Sequence, residues 1–401
     1  MPDGLGPWID LDAPALPGPS ALPERCDVAV IGGGLAGVAA ALFLAEAGVD
    51  VVLLEDLPDV GLARSGRTIG QVDTGLLEHP HRTISALGEE KASQLFRLGE
   101  RNLDLLDERG LLDRCGSLWA ALDQREPAEI ETSAERLRAL GFQAEVLDEA
   151  AVDKRTGGYN FGPGLLRPTG GRIEPGHAVR SLASAARNAG ATLIGNAWVE
   201  RIEDGPDGTE IVLEEHRLRA DAVVIAAGFA SGALEPALEG RITPVREQAL
   251  MTAPVFAWYP TGGRAGHGYT TFRQLPDGHL VVSGCRWATP HLEVGEDDDT
   301  VLVERIQTKL DAFFRFHFPA AEESEVVERW AWVFDQTTDG LPFVGPLPGS
   351  PTRIALCGFG GNDAGLAVVC AREAVDGLLT GSNAIPRFMN PIRMVKWRGA
   401  S

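Results

Sequence analysis

Apolar runs alternate with helical spacing along most of this chain. Residues 28–31 (Val-Ala-Val-Ile) form an unbroken apolar run that reads as a strand buried on both faces. An alanine-rich helix is expected over 35–47 and a second apolar strand over 50–54. Helical spacing returns over 89–109, where Leu95, Leu98, Leu105 and Leu106 fall near one face, and acidic helix-forming sequence continues to 147. A helix over 177–189 is closed by Gly190, and strand-like runs follow at 191–194, 210–213 and 222–226. From 245 to 287 the texture changes to alternation, with Thr270, Phe272, Leu280 and Val282 set among turn signals such as Pro276-Asp277-Gly278, which predicts antiparallel sheet. An amphipathic helix is expected over 300–316, then a strand at 353–356, a glycine-dense turn at 358–361 and a helix over 364–379 stopped by Gly381.

Parallel βα texture at both ends with antiparallel sheet between them predicts an α/β fold with an inserted, largely antiparallel α+β domain. Each domain is then discontinuous: 25–85, 165–235 and 335–385 in one, 86–164 and 236–334 in the other. A proline-rich segment (1–24) and a tail (386–401) flank them. The active site is expected between the two domains.

The first βα turn carries the most specific chemistry. Gly32, Gly34 and Gly37 fill the GxGxxG positions of a Rossmann unit, with Ala36 in the same turn. The first glycine permits the tight turn, the second lets backbone approach a pyrophosphate, and the third lets helix pack closely on strand. Glu55 ends the second strand, eighteen residues after Gly37 and near the roughly 20 expected of an acid that binds a ribose hydroxyl. Residues 60–77, rich in glycine and short polar side chains, read as a functional loop.

Composition narrows the partners. The 401 residues, 44% apolar, suffice for a substantial core, and a formal charge of −21 disfavours nucleic acid and anionic membrane surfaces. Five cysteines without CxxC spacing indicate neither a disulfide framework nor a zinc site. Of eight histidines only His79 and His81 lie close together, with no cluster of carboxylates or cysteines beside them in sequence, so no metal is expected. The first 24 residues lack a cationic start followed by an apolar core, and the stretch around Trp8, Ile9 and Asp10 is expected to drape over the folded body. A soluble, cytoplasmic protein is expected, without a membrane partner; its oligomeric state is open.

The chain from Cys26 to about Gly381 resembles the FAD-dependent D-amino-acid oxidase superfamily, especially its glycine oxidase, sarcosine oxidase and γ-glutamylputrescine oxidase-like branches. Four blocks carry the resemblance: the GxGxxG unit with Glu55; Ser65-Gly66-Arg67-Thr68-Ile69-Gly70-Gln71-Val72, similar to the loop these enzymes lay along the flavin; Gly171 through Val199 to Ala227-Gly228; and Thr338-Asp339-Gly340-Leu341-Pro342-Phe343-Val344-Gly345 followed by Cys357-Gly358-Phe359-Gly360-Gly361-Asn362. The resemblance implies FAD, contacted by Gly32, Gly34, Ala36, Gly37, Glu55, Ser65, Gly66, Arg67, Gly70, Gln71, Val199, Ala227, Gly228, Gly358, Gly360, Gly361 and Asn362. It implies oxidation of a carbon next to an amine, hydride passing to flavin and an imine released to hydrolysis, with oxygen or another acceptor reoxidising the cofactor. The helix beginning near Ala364 is expected to place its N-terminal dipole where it stabilises negative charge on reduced flavin.

Departures from the pattern modify these expectations. Trp332 stands where sarcosine oxidase-like members bear the flavin-bonded cysteine, so non-covalent FAD is expected, with Cys357 the nearest alternative thiol. Phe334 replaces the arginine with which glycine oxidase-like members hold substrate carboxylate; Arg286 or Arg273 is then a candidate source of charge. Otherwise Trp258, Trp287, Trp332 and Phe334 suggest an apolar or aromatic cavity. Val282 stands near the position of a lysine that assists reaction with oxygen, and Lys91, Lys154, Lys309 and Lys396 all lie outside this sheet, which points to dehydrogenase behaviour. Tyr269, Arg286 and Trp332 are the candidate substrate contacts. The competing readings are a flavin monooxygenase and a flavin-holding subunit of a larger oxidase assembly.

Overall fold

A computed structural model describes residues 4–9, 14–205, 207–256 and 261–394. The chain divides into two compact units, one of Trp8–Arg67, Pro175–Pro244 and Phe334–Ser401, the other of Met1–Pro7, Thr68–Glu174 and Val245–Val333.

The first unit is built on a mainly parallel sheet with the order Phe343–Leu347, Ser350–Cys357, Arg217–Ile225, Arg25–Ile31, Val51–Leu54, Thr192–Ile194. Arg25–Ile31 runs parallel to both of its neighbours, with Val30 opposite Val224 and Leu53. Residues 28–31 and 51–54 are buried throughout, as expected of parallel strands covered on both faces. Helix Leu35–Glu46 is buried at every position from Leu35 to Ala45, and it packs against helices Pro175–Asn188 and Asp363–Thr380. Its alanines allow that close contact on more than one side. Gly208–Leu213 pairs antiparallel with both Arg217–Ile225 and Val199–Gly205. The Val199–Gly205 strand was not legible as one, because Glu200, Arg201, Glu203 and Asp204 leave it exposed along most of its length. Trp8 packs into this unit, 7% exposed, with its carbonyl accepting from Arg180 Nη2 at 3.2 Å; Asp10 lies outside the described residues.

The second unit holds an eight-stranded sheet in the order Val326–Thr337, Ile242–Thr252, Leu280–Gly284, Thr270–Gln274, Gly263–Ala265, Ser117–Ala120, Gly164–Arg167, Glu145–Leu147. Thr270–Gln274 pairs antiparallel with both of its neighbours, and Gly263–Ala265 pairs parallel with Ser117–Ala120. Helix Glu304–His317 lays Ile306, Leu310, Phe313 and Phe314 into a core shared with Phe161, Phe272, Leu280, Val282 and Phe318. Here the expected helical run to 147 needs correction. Strands Ser117–Ala120 and Glu145–Leu147 bracket helix Glu126–Ala139. Such short segments carry too little periodicity to declare themselves, and pairing with sequence-distant strands decides their conformation. Within the expected loop, Arg64–Arg67 forms a single helical turn, and Gln71–Val72 pairs antiparallel with Gly171–Arg172.

Candidate cofactor and substrate sites

In the first unit, the GxGxxG turn is closed by contacts that leave no space for side chains. A Cβ on Gly37 would lie 1.9 Å from the Gly32 carbonyl oxygen, and one on Gly32, whose φ is +107°, would lie 2.4 Å from the Ala226 oxygen. Helix Leu35–Glu46 therefore starts directly above the strand ends, without a side-chain cap or an acid in its first turn. Its free amides are the anion-binding feature a pyrophosphate requires. Glu55 is 4% exposed; its Oε2 accepts from Gly33 N at 2.5 Å and its Oε1 from Leu57 N at 3.0 Å. Burial pushes its carboxyl well up, and neighbouring Asp56 adds to the effect. These residues fit the ADP portion of a dinucleotide: open amides for phosphate, glycines where backbone must approach, and an acid at the end of the second strand. Val199 begins its strand, Ala227 precedes a short helical turn at Gly228–Ala230, and Gly228 has open space where a Cβ would stand.

Two other segments of this unit are pinned together by Asp363, the first residue of helix Asp363–Thr380. Arg64 Nη2 donates to Asp363 Oδ1 at 2.9 Å and Ser65 Oγ to Oδ2 at 3.0 Å. Arg64 thereby fixes the helical turn that carries Ser65, Gly66 and Arg67; Arg67 Nε in turn donates to the Leu62 carbonyl at 2.7 Å. The Gly358–Gly361 turn is held by Asp335, whose carboxylate accepts from Gly358 N and whose carbonyl accepts from Gly360 N at 2.8 Å. Asn362 stands at the N-cap position of that helix, 3% exposed. Phe334 lies beneath the Arg64 guanidinium, 5.7 Å from its ring centroid, and is buried.

The second unit holds Gly70, Gln71 and the candidate substrate contacts. Gln71 is 5% exposed, yet neither its Nε2 nor its Oε1 finds a hydrogen-bond partner among the described residues. Arg286 stacks 5.8 Å from the Tyr269 ring, with its Nη1 on the Leu292 carbonyl at 3.0 Å and its Nε 3.5 Å from Glu247. The fold thus brings Tyr269 and Arg286 together. Trp332 is 3% exposed on the edge strand Val326–Thr337. Arg273 is committed to structure: it donates to the carbonyls of Ile69 and Ile173 at 3.0 and 2.7 Å and to Glu174 at 2.5 Å. Trp287, expected to line a cavity, is instead 51% exposed, with Lys309 Nζ 5.6 Å above its ring. Trp258 and Lys396 lie outside the described residues.

One arginine that the sequence did not single out has the burial and open valence of an anion receptor. Arg264, on Gly263–Ala265, is 6% exposed. Its Nη1 donates to Thr271 Oγ1 at 3.2 Å and its Nη2 approaches the Gln71 carbonyl at 3.4 Å, its guanidinium lies 5.9 Å from the Trp119 ring centroid, and its Nε has no partner among the described residues. Burial lowers its pKa, against the pull of Asp73 and Glu247, and among the described residues no carboxylate stands within ion-pair distance of it. The flat Gly-Gly-Arg-Ala context gave no sequence signal for this. Nor did the spacing around His79 show that the fold sets His267, Glu126 and Glu129 beside it.

The remaining expectations concern reactive side chains. Cys357 is buried, and burial together with the Asp335 charge pushes its thiol far up, which disfavours the thiolate a covalent flavin bond requires. Val282 is fully buried in the sheet core. No helix among the described residues is long and apolar enough to cross a membrane.

Comparison with known proteins agrees with this geometry. The family model "DAO: FAD dependent oxidoreductase" matches residues 27–376. The chain is 25% identical to the probable oxidoreductase OrdL of Haemophilus influenzae, covering 91% of this chain and 85% of that one. It is 28% identical to the glycine oxidase of Pseudomonas aeruginosa, over 80% and 86% of the two chains. Its fold superposes on that of glycine oxidase from Geobacillus kaustophilus with a TM-score of 0.77 at 21% identity, over 92% of this chain and 99% of that one. The nucleotide turn, the acid behind it and a match spanning most of the sequence together place this chain in the DAO family of FAD-dependent oxidoreductases.

Proposed function

We propose that the protein oxidises the C–N bond of an amine or N-substituted amino acid by hydride transfer to non-covalent FAD, with the imine hydrolysed afterwards, and that the substrate carries a carboxylate bound by Arg264. FAD supplies the two-electron acceptor when bound. The observation that carries the carboxylate reading is the Arg264 guanidinium, buried with no carboxylate paired to it and with Nε unpartnered among the described residues. A buried charge left in that state is costly unless a ligand completes it, and a guanidinium offers paired donors that match a carboxylate. The unpartnered Gln71 amide, next in space to Arg264 through its own carbonyl, supplies a further donor and acceptor for a polar substrate group. Tyr269 and Arg286 are the second-rank contacts. Relatives that include a glycine oxidase and a γ-glutamylputrescine oxidoreductase agree with an amine-bearing substrate.

Removing one partner of a buried charge pair costs about 2–5 kcal/mol. Arg264→Met should therefore raise KM for a carboxylated amine by about 30-fold or more, while turnover of the decarboxylated analogue and bound flavin absorbance stay unchanged, and Arg264→Lys should recover part of the loss. Equal loss on both substrates would assign Arg264 a structural role. Val282 at the lysine position supports slow reaction with oxygen; peroxide formation as fast as reduction of an artificial acceptor would refute dehydrogenase behaviour.

A further inference from the structure

A cluster outside the nucleotide turn, which meets the Arg264 region at the Trp119 ring that both His79 and Arg264 approach, has the makings of a metal centre. His79 is the N-cap of helix Pro80–Leu87, Glu126 and Glu129 lie one turn apart on helix Glu126–Ala139, and His267 sits in the turn between Gly263–Ala265 and Thr270–Gln274. His79 and Glu126 are each 1% exposed. His79 Nε2 lies 3.6 Å from Glu129 Oε2, and His267 Nδ1 lies 3.3 Å from the same carboxylate. One ligand atom from each of His79, Glu129 and His267 falls within 4.8 Å of the others. A tetrahedral zinc site with bonds of about 2.0–2.1 Å has ligand–ligand edges of about 3.3 Å, which these separations approach. Glu126 Oε1 adds a second carboxylate, 3.1 Å from His79 Nε2 and 3.9 Å from His267 Nδ1.

His267 turns its Nδ1 toward the cluster, 3.2 Å from Arg82 Nη2 and 3.3 Å from Glu129 Oε2. The opposite nitrogen, Nε2, faces Asp123 Oδ2 at 3.1 Å, the carboxylate–histidine arrangement that orients metal ligands. Arg82 Nη2 also donates to both oxygens of Glu129, at 2.6 and 2.8 Å. Its guanidinium thus stands in for a cation, on a long side chain that is 42% exposed. Against its single charge stand the carboxylates of Asp123, Glu126 and Glu129, a surplus that suits a dication.

We propose that His79 Nε2, the Glu129 carboxylate and His267 Nδ1 bind a divalent transition cation of the zinc class, with Glu126 beside them, Asp123 orienting His267 and Arg82 swinging outward on binding. The test is equilibrium dialysis of the chelator-treated, flavin-loaded protein against zinc, with metal analysis and calorimetric titration. One zinc per chain is expected. His79→Ala and His267→Ala should lose it, Asp123→Ala should weaken it by about 10–100-fold, and Arg82→Ala, by removing the competing charge, should tighten it by about tenfold or more. The Arg82 and Asp123 variants keep the test decisive where a His79 variant does not fold. Failure of both wild type and Arg82→Ala to retain zinc would overturn the proposal, as would zinc binding undiminished in His267→Ala.

Discussion

Gly37 and Arg264 mark the two extremes of what single residues disclose. Gly37 belongs to a spacing whose physical demands are known in advance, and the fold meets them, with the Gly32 oxygen 1.9 Å from where a Cβ would stand. Gly37→Ala should consequently yield protein that purifies without the yellow flavin band; a variant that keeps full flavin occupancy would contradict the role given to that turn. Arg264, by contrast, sits in no motif. Its isolation from carboxylates among the described residues arises from strands far apart in sequence, as does the gathering of His79, Glu129 and His267. Asp335 adds a pH signature of the same tertiary origin. Burial pushes its carboxyl up, against the pull of Arg64, so the folded protein keeps this proton to higher pH than the unfolded chain does. Its contribution is then most favourable below the ordinary carboxylate value of about 4 and declines as pH rises through the raised folded value. Asp335→Asn retains an oxygen for Gly358 N–H, and its melting temperature relative to wild type should climb from about pH 4 towards neutrality. A difference constant across that range would show that Asp335 carries no such linkage.

Elements with their own chemistry of start and stop were the legible ones. Helix Asp363–Thr380 ends at Gly381 with φ +74° in a left-handed cap, as the sequence implied, and open space surrounds that position. Gly381→Ala should cost about 1–2 kcal/mol through backbone conformation alone, seen as a lower denaturation midpoint with flavin content unchanged; an unaltered midpoint would mean that the cap frays. The beginning of the same helix was only half legible. Its glycine turn was visible, whereas its tie through Asp363 to Arg64 and Ser65 joins positions about 300 residues apart. Strands Ser117–Ala120, Glu145–Leu147 and Val199–Gly205 escaped notice for a common reason: they are short or solvent-facing, and hydrogen bonding to neighbours rather than side-chain pattern makes them strands.

For the molecule as a whole, family membership and an FAD-dependent oxidoreductase activity rest on a match across residues 27–376, which the four sequence blocks anticipated. Substrate choice was not legible, because the groups that would read a substrate come from separated segments and include an arginine with no motif. Acid precipitation should leave the yellow cofactor in the supernatant, since the family resemblance sets Trp332 at the position of the flavin-bonded cysteine and Cys357 is a buried thiol held protonated. Colour remaining in the pellet would establish a covalent bond instead. The central claim, that this flavoprotein oxidises carboxylate-bearing amines, is tested most directly by anaerobic titration of the flavin absorbance with primary amines, secondary amines and amino acids. Bleaching by amines that carry a carboxylate, and weaker or no bleaching by their decarboxylated counterparts, is the predicted result; a flavin untouched by the whole panel but reduced by NADPH would contradict it and favour a monooxygenase.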